Sequence, residues 1–242
     1  MTISETKMKT ALSLILGLST IAGAAQAFEF KGAELGLEYS RLQDKINGES
    51  VAKTTLDGSV EFGFLSNFAV QFDAARHDFS AISETGTTFT LHGIYDVNDQ
   101  LALGAYWNRL DVAGTDAQYF GLEGKYDFGV GYTEVYFEKD NESGLDSTSV
   151  GIMGAWGVSE KLDLTAAFDY LDLSDDGDRK IYTFGTRYDL IENTTLTAEL
   201  GIDDSSGLGR DQFFALGIEY NFGSNRGTTF GKRGGFNAIP GS

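Results

Sequence analysis

Fourteen charged or ionisable side chains share the polar face of apolar-rich segments in which polar and apolar residues alternate. Eleven are carboxylates and three are basic groups: Glu34, Glu38, Asp57, Glu61, Asp73, His92, Glu123, Lys125, Glu134, Asp163, Asp169, Arg187, Glu199 and Glu219. If this face encloses water, its excess of carboxylates attracts cations and repels anions. The alternative is that the charges only keep the face wet.

A different chemistry would involve His92. If the loop at residues 80–85 centres its hairpin, Asp73 lies directly opposite His92. An Asp that orients a His is half of a nucleophilic triad. No serine lies two or four residues away on the same face, and no G-x-S-x-G motif occurs. The sequence therefore predicts no catalytic residue, and a lipid hydrolase built on this pair is an alternative.

The remaining acidic runs do not form a known metal motif. Residues 172–178 and 203–207 are rich in Asp, but neither has the spacing of a calcium-binding loop. The chain contains no cysteine, which excludes thiolate chemistry and Cys-based metal sites. We predict no metal site and no cofactor.

The elements that carry the polar face are predicted to be strands. Apolar residues alternate with polar ones in twelve segments of roughly 9–12 residues, a length that crosses a bilayer when tilted. Short turns such as Ser66–Asn67 alternate with longer polar loops, the longest of about eleven residues at 43–53. This hairpin unit repeats about every 30–35 residues. The alternation slips at Gly129–Tyr132, where we predict a bulge or an altered register.

Three features indicate which solvent meets the apolar face. Charged residues occupy mid-strand positions on the other face, aromatic residues cluster at both strand ends, and the strand number is even. Two aromatic girdles and a polar interior are typical of membrane barrels. We therefore predict an all-β fold, a closed antiparallel up-and-down transmembrane β-barrel of about 12 strands. A periplasmic sandwich or lipocalin-like barrel is the alternative.

The segment "ALGIEYNF" at residues 215–222 resembles the C-terminal strand of Gram-negative outer-membrane β-barrel proteins. Gly217, Tyr220 and Phe222 stand at the offsets expected of that strand. The resemblance extends over residues 1–222 and is to a small porin-like protein, although common general porins have more strands. It implies location in the cell outer membrane, contact with its lipid and lipopolysaccharide, and recognition by the barrel-assembly machinery through those three residues.

Residues 1–27 have the pattern of a signal peptide, with Lys7 and Lys9 before an apolar run and "AQA" at its end. Without them the chain has 18 − 2 = 16 basic and 36 − 1 = 35 acidic residues, a net charge of −19. That balance argues against nucleic acid as a partner.

The predicted organisation is a signal peptide at 1–27, a barrel at 28–222 and a Gly-rich tail at 223–242. Composition favours a flexible periplasmic extension for the tail. A sharper hypothesis is that its bases, Arg226, Lys232 and Arg233, dock into the acidic lumen as a gate.

Together these features predict a porin-like channel for passive diffusion of small hydrophilic solutes, with cation preference and the fourteen polar residues lining its pore. A structural barrel with a plugged lumen is a further alternative, since twelve strands lie between the filled eight-stranded and the open sixteen-stranded barrels. The sequence leaves the solute and the oligomeric state undetermined.

Overall fold

The computed structural model describes residues 28–46, 49–80, 85–112, 114–140, 147–174, 177–207, 209–223 and 227–234. The predicted signal peptide and Arg226 lie outside these ranges. Within them the chain forms twelve strands: β1 Glu29–Ile46, β2 Glu49–Phe64, β3 Phe68–Phe79, β4 Thr85–Asp96, β5 Leu101–Val112, β6 Thr115–Asp127, β7 Gly131–Asp140, β8 Thr148–Ser159, β9 Leu162–Asp172, β10 Asp178–Ile191, β11 Thr194–Ser205 and β12 Gly209–Phe222.

The strands close into one antiparallel barrel in sequence order, as predicted. The first and last strands form the seam, which runs from Ala33 opposite Phe222 to Leu42 opposite Phe213. Closure leaves no strand edge, so every strand can pair its backbone groups with its neighbours; a lipid environment requires this. In the part of the chain described, no helix is long and apolar enough to cross a membrane.

Burial along the strands is the reverse of that in a soluble protein. Large apolar side chains point outward and are exposed, for example Leu200 at 68% and Phe184 at 67%. Polar side chains on the other face are enclosed, and Gln71 and His92 have no exposed surface. A barrel with an apolar exterior and a polar interior is the membrane form that the alternation predicted.

Aromatic side chains contact one another on the outer face near both ends of the barrel. At the short-turn end, Phe68 packs against Phe64 and Tyr95 at ring-centroid distances of 5.8 and 5.0 Å. Toward the other end, Phe168 and Tyr182 lie 5.0 Å apart. These contacts give the exterior the aromatic belts expected at membrane–water boundaries.

Two local predictions differ from the structure. The expected eleven-residue loop at 43–53 is mostly strand. β1 extends to Ile46 and β2 begins at Glu49, and their pairing has a register shift between Arg41 and Lys45. At Gly129–Tyr132 the predicted bulge is absent from the described pairing, which runs unbroken from Tyr119 opposite Asp140 to Asp127 opposite Tyr132. The outward positions nevertheless change from even to odd numbers across this turn, because the closing pair of Asp127 and Tyr132 encloses four residues.

Candidate functional site

The inner wall encloses a central cavity of about 450 Å³. Its lining includes eight carboxylates and four basic side chains. All of them except Lys232 come from strands, on both sides of the seam. Because successive side chains of a strand alternate between faces, the same pattern that exposes apolar groups to lipid directs these charges inward. The cavity is therefore acidic even though four bases are present.

The structure places all fourteen predicted residues on the inner wall. Nine line the central cavity: Glu34, Glu38, Asp57, Lys125, Glu134, Asp163, Arg187, Glu199 and Glu219. Asp169 borders a second cavity of about 190 Å³, and Glu61 borders a third of about 470 Å³ at the short-turn end. Asp73, His92 and Glu123 form a buried cluster. That these residues line a conducting pore stays a prediction.

The register predicted for His92 is wrong by two residues. His92 lies opposite Gln71, and Asp73 lies opposite Thr90. The contact between His92 and Asp73 nevertheless exists along the diagonal, with His92 Nε2 2.9 Å from Asp73 Oδ2. The loop-centred hairpin assumed in the prediction does not hold, because the pairing of Asp78 with Thr85 centres the hairpin one residue earlier in the chain.

The imidazole of His92 is held between two carboxylates. Its Nδ1 lies 2.6 Å from Glu123 Oε1, while its Nε2 contacts Asp73. In a Ser–His–Asp arrangement one ring nitrogen must face the nucleophile. Here a carboxylate occupies each nitrogen, so this arrangement does not favour the hydrolase alternative.

Residues 227–234 lie inside the barrel, and we call them the lumenal segment. The chain turns inward after β12 at Gly223, whose φ of +92° is accessible to glycine at little cost. The structure places this segment against the inner wall, whereas composition favoured a flexible extension. The contacts of Lys232 and Arg233 with wall carboxylates agree with the docking that their charge suggested, and the action of the segment as a gate stays a prediction.

Phe230 anchors the segment in an apolar recess of the inner wall. It is 2% exposed and packs with Ala69, Ile94 and Ala102, which are apolar exceptions on the otherwise polar face. At Gly104 an added Cβ would approach the Phe230 ring to 2.8 Å, so glycine makes room for it. The ring also stacks on His92, with centroids 6.3 Å apart and planes 11° apart.

The backbone of the segment is hydrogen-bonded by wall side chains. Gln71 donates to the Phe230 carbonyl at 2.8 Å and accepts from the Phe230 amide at 3.1 Å. The Thr229 amide donates to Glu61 at 2.6 Å, and the Gly231 amide donates to Glu134 at 3.0 Å. Lys125 donates to the Thr229 carbonyl at 2.6 Å. The wall thus satisfies the backbone as a neighbouring strand would.

The two basic residues of the segment reach separate pairs of carboxylates. Lys232 forms ion pairs with Glu34 and with Asp57, the latter at 2.5 Å. Burial lowers the pKa of the Lys232 ammonium, but the charges of Glu34 and Asp57 outweigh burial and raise that pKa above its ordinary value. Lys232 therefore stays charged at neutral pH.

Arg233 is more deeply enclosed, with its side chain 3% exposed. Its guanidinium donates to Glu123 at 2.8 Å and to Glu134. It also lies over the Tyr136 ring, 4.7 Å from the centroid. Burial opposes the charge, yet the two carboxylates raise the pKa of Arg233 above its usual range. The guanidinium thus contacts two carboxylates and an aromatic ring at once, a combination for which its planar shape is suited.

The lumenal segment borders all three cavities. Gly227, Thr228 and Thr229 line the cavity at the short-turn end. Phe230 and Lys232 line the central cavity, and Arg233 and Gly234 line the second. The segment therefore occupies part of the lumen beside each of these cavities and narrows the space that a solute can occupy.

The residues that seat the segment were not among the predicted site residues, apart from the carboxylates, Lys125 and His92. Those missed are Ala69, Gln71, Ile94, Ala102, Gly104, Tyr106, Asn108 and Tyr136. One signal was present: Ile94 places a large apolar residue on the polar face of β4. Such an exception indicates that something apolar lies against it inside the barrel.

Comparison with known proteins agrees with this architecture. The family model described as Gram-negative porin matches residues 83–208, about half of the chain. No curated protein matches the chain by sequence.

Several solved structures have a similar fold at low sequence identity. The KdgM porin aligns with a TM-score of 0.61 and 9% identity over 78% of this chain and 99% of its own. The NanC porin aligns with a TM-score of 0.62 and 8% identity over 77% and 98% of the two chains. An outer-membrane channel from Pseudomonas putida F1 aligns at 0.55 and 15% identity, over 79% and 96%. At these identities the likeness shows the fold alone.

Proposed function

The chain belongs to the Gram-negative porin family, and from that premise we propose that its outer-membrane barrel passes small hydrophilic solutes passively, with a preference for cations. The observation that carries the proposal is the central cavity, where eight carboxylates face four bases. The lumenal segment contributes one of those bases, so the acidic excess of this cavity persists while the segment is in place.

The physical basis of the cation preference is the electric field in a narrow lumen that a low-dielectric wall encloses. A cleft lined by one sign of charge concentrates ions of the opposite sign. Three carboxylates that line the cavity make none of the ion pairs described for the lumenal segment: Glu38, Asp163 and Glu199. They add to the field that attracts cations while the segment is seated.

The solute of one structural neighbour does not carry over to this chain. A KdgM porin structure is described as a complex with disordered oligogalacturonate, a chain of uronic acids. Here the excess of lumenal carboxylates would repel such a polyanion. We therefore propose neutral or cationic solutes, and the size of the cavity limits them to small molecules.

Ion selectivity tests this proposal. In a planar bilayer with a KCl gradient, we expect the reversal potential to give a K⁺:Cl⁻ permeability ratio of roughly 10. Replacing both Glu38 and Glu199 by Gln should bring the ratio closer to 1, because both carboxylates face the central cavity. Glu160→Gln is the control, since Glu160 is exposed in a short turn. Anion preference in the wild-type channel would refute the proposal.

We further propose that the lumenal segment acts as a gate on this channel. Support comes from its contacts with all three cavities and from the ion pairs that hold it. The alternative, a structural barrel that is permanently closed, predicts a different result. In that case the barrel would still not conduct after the segment is removed.

A further inference from the structure

The contacts of the lumenal segment describe a recognition site built into the inner wall. We propose that this site binds diffusible short peptides that carry an arginine preceded by an aromatic residue, and that the chain's own residues 227–234 are its resident competitor. The proposal rests on the proposed channel function, since such a peptide must enter the lumen.

The charged part of the site is made by the wall alone. Glu34 and Asp57 come from β1 and β2, and Glu123 and Glu134 come from β6 and β7. When the segment leaves, Glu34 and Asp57 lose Lys232, while Glu123 and Glu134 lose Arg233 and retain His92 and Lys125. The negative charge of the wall is then less well compensated, which is costly for buried groups. The vacant wall therefore favours a replacement cation, and one molecule with two cationic groups satisfies both pairs.

The geometry around Arg233 favours a guanidinium over an ammonium group. Glu123 and Glu134 accept from two different nitrogens of the same planar group. Tyr136 lies against the face of the guanidinium at 4.7 Å, and Tyr136 is itself fixed by donating to Asp169 at 2.7 Å. Planar forked donation and stacking on an aromatic ring are properties of arginine that lysine lacks.

The site also recognises a peptide backbone and an aromatic side chain. Gln71 makes two hydrogen bonds with the backbone of Phe230, in the manner of a paired strand. The recess of Ala69, Ile94 and Ala102 takes the ring. These contacts select an extended peptide with an aromatic residue three positions before the arginine. A polyamine would satisfy the charges but not the recess or Gln71.

Binding is tested by calorimetry on the refolded barrel in detergent, which needs no conductance. The probe is the synthetic peptide GTTFGKRG, the sequence of residues 227–234. The receptors are a barrel lacking residues 224–242 and the full-length protein. If the truncated barrel binds at about 10 µM, a tethered segment at an effective concentration of about 1 mM should weaken binding to the full-length protein roughly 100-fold.

Matched peptides and wall variants separate recognition from simple charge attraction. The peptide GTTFGKKG should bind the truncated barrel at least about 10-fold more weakly, because it lacks the guanidinium. GTTFGQQG and spermidine should also bind more weakly than GTTFGKRG. The double variant Glu123→Gln, Glu134→Gln should lose the preference for arginine over lysine. Should truncation prevent folding, full-length Phe230→Ala, Arg233→Gln provides a weakened competitor.

The outcomes distinguish the two proposals. Equal affinity for the truncated and full-length barrels, or equal affinity for GTTFGKRG and GTTFGKKG, would overturn the peptide site. If spermidine binds as tightly as the peptide, the site attracts any multivalent cation by charge alone. That result would also overturn the proposed peptide site. A barrel that binds the peptide but conducts no ions would refute the channel and leave the recognition site standing.

Discussion

Deleting residues 224–242 should raise the single-channel conductance by on the order of threefold, because the lumenal segment occupies space beside all three cavities and its removal widens the path for ions. The cavities have volumes of about 450, 190 and 470 Å³, and residues of the segment border each of them. The deletion leaves the whole of β12 and the closing pairs from Ala33–Phe222 to Leu42–Phe213 unchanged. Single-channel recording in 1 M KCl measures the effect.

A shorter truncation is the matched control for this deletion. Removing residues 235–242 keeps all the contacts described for residues 227–234, so its conductance should equal that of the wild type. If the longer deletion also leaves conductance unchanged, the segment does not obstruct the ion path. If neither protein conducts, the lumen is closed by the wall and the barrel is structural.

Arg233→Gln should release the segment from the wall. The substitution removes the guanidinium from Glu123 and Glu134, which keep His92 at 2.6 Å and Lys125 at 4.0 Å as their remaining basic neighbours. Removing one partner of a buried ion pair costs about 3–5 kcal/mol. The population with the segment unseated should therefore rise by roughly 100-fold or more. Trypsin cleavage after Lys232 reports this, since the bond is enclosed in the seated state and cleavage tracks the open population when reclosing is fast.

Arg76→Gln provides the control with the same chemistry at the surface. Arg76 pairs with Asp78 at 3.0 Å, but both side chains are more than half exposed, and such pairs contribute about 0–1 kcal/mol. Cleavage after Lys232 should stay at the wild-type rate in this variant. Arg233→Lys should be cleaved after Lys232 at an intermediate rate. Lysine keeps the positive charge but cannot donate to two carboxylates from one planar group. Cleavage of Arg233→Gln at the wild-type rate would mean that the arginine does not hold the segment.

The barrel could be predicted because its determinants are local and repeated. Alternation sets the face of each side chain, and short turns fix neighbouring strands, so the closing of β1 against β12 follows from an even strand count and paired ends. Where a loop was long, the register could not be fixed: at His92 an assumed loop centre placed Asp73 two residues from its actual pairing. The contact survived because long side chains also reach diagonal neighbours.

The lumenal segment could not be predicted with its contacts, since its position depends on groups far away in the sequence. Phe230 contacts residues of β3, β4 and β5, and Arg233 lies 110 and 99 positions from its partners Glu123 and Glu134. The sequence did show an acidic inner face and a basic tail, and these opposite charges suggested that the tail docks in the lumen. The apolar recess determines where Phe230 binds along the wall. It could not be predicted, because it forms from inward-facing residues of separate strands that become neighbours only when the barrel closes.

The path of the segment makes the interior electrically asymmetric. The chain enters from the short-turn end at Gly223 and carries the charges of Lys232 and Arg233 deep into the lumen. An applied potential does work on those charges, about 2.3 kcal/mol per 100 mV for each elementary charge that crosses the whole field. One polarity presses the two cations further along the wall, and the other draws them back toward the end where the chain is tethered. If the segment gates the lumen as proposed, the membrane potential would bias its position through the charges of Lys232 and Arg233.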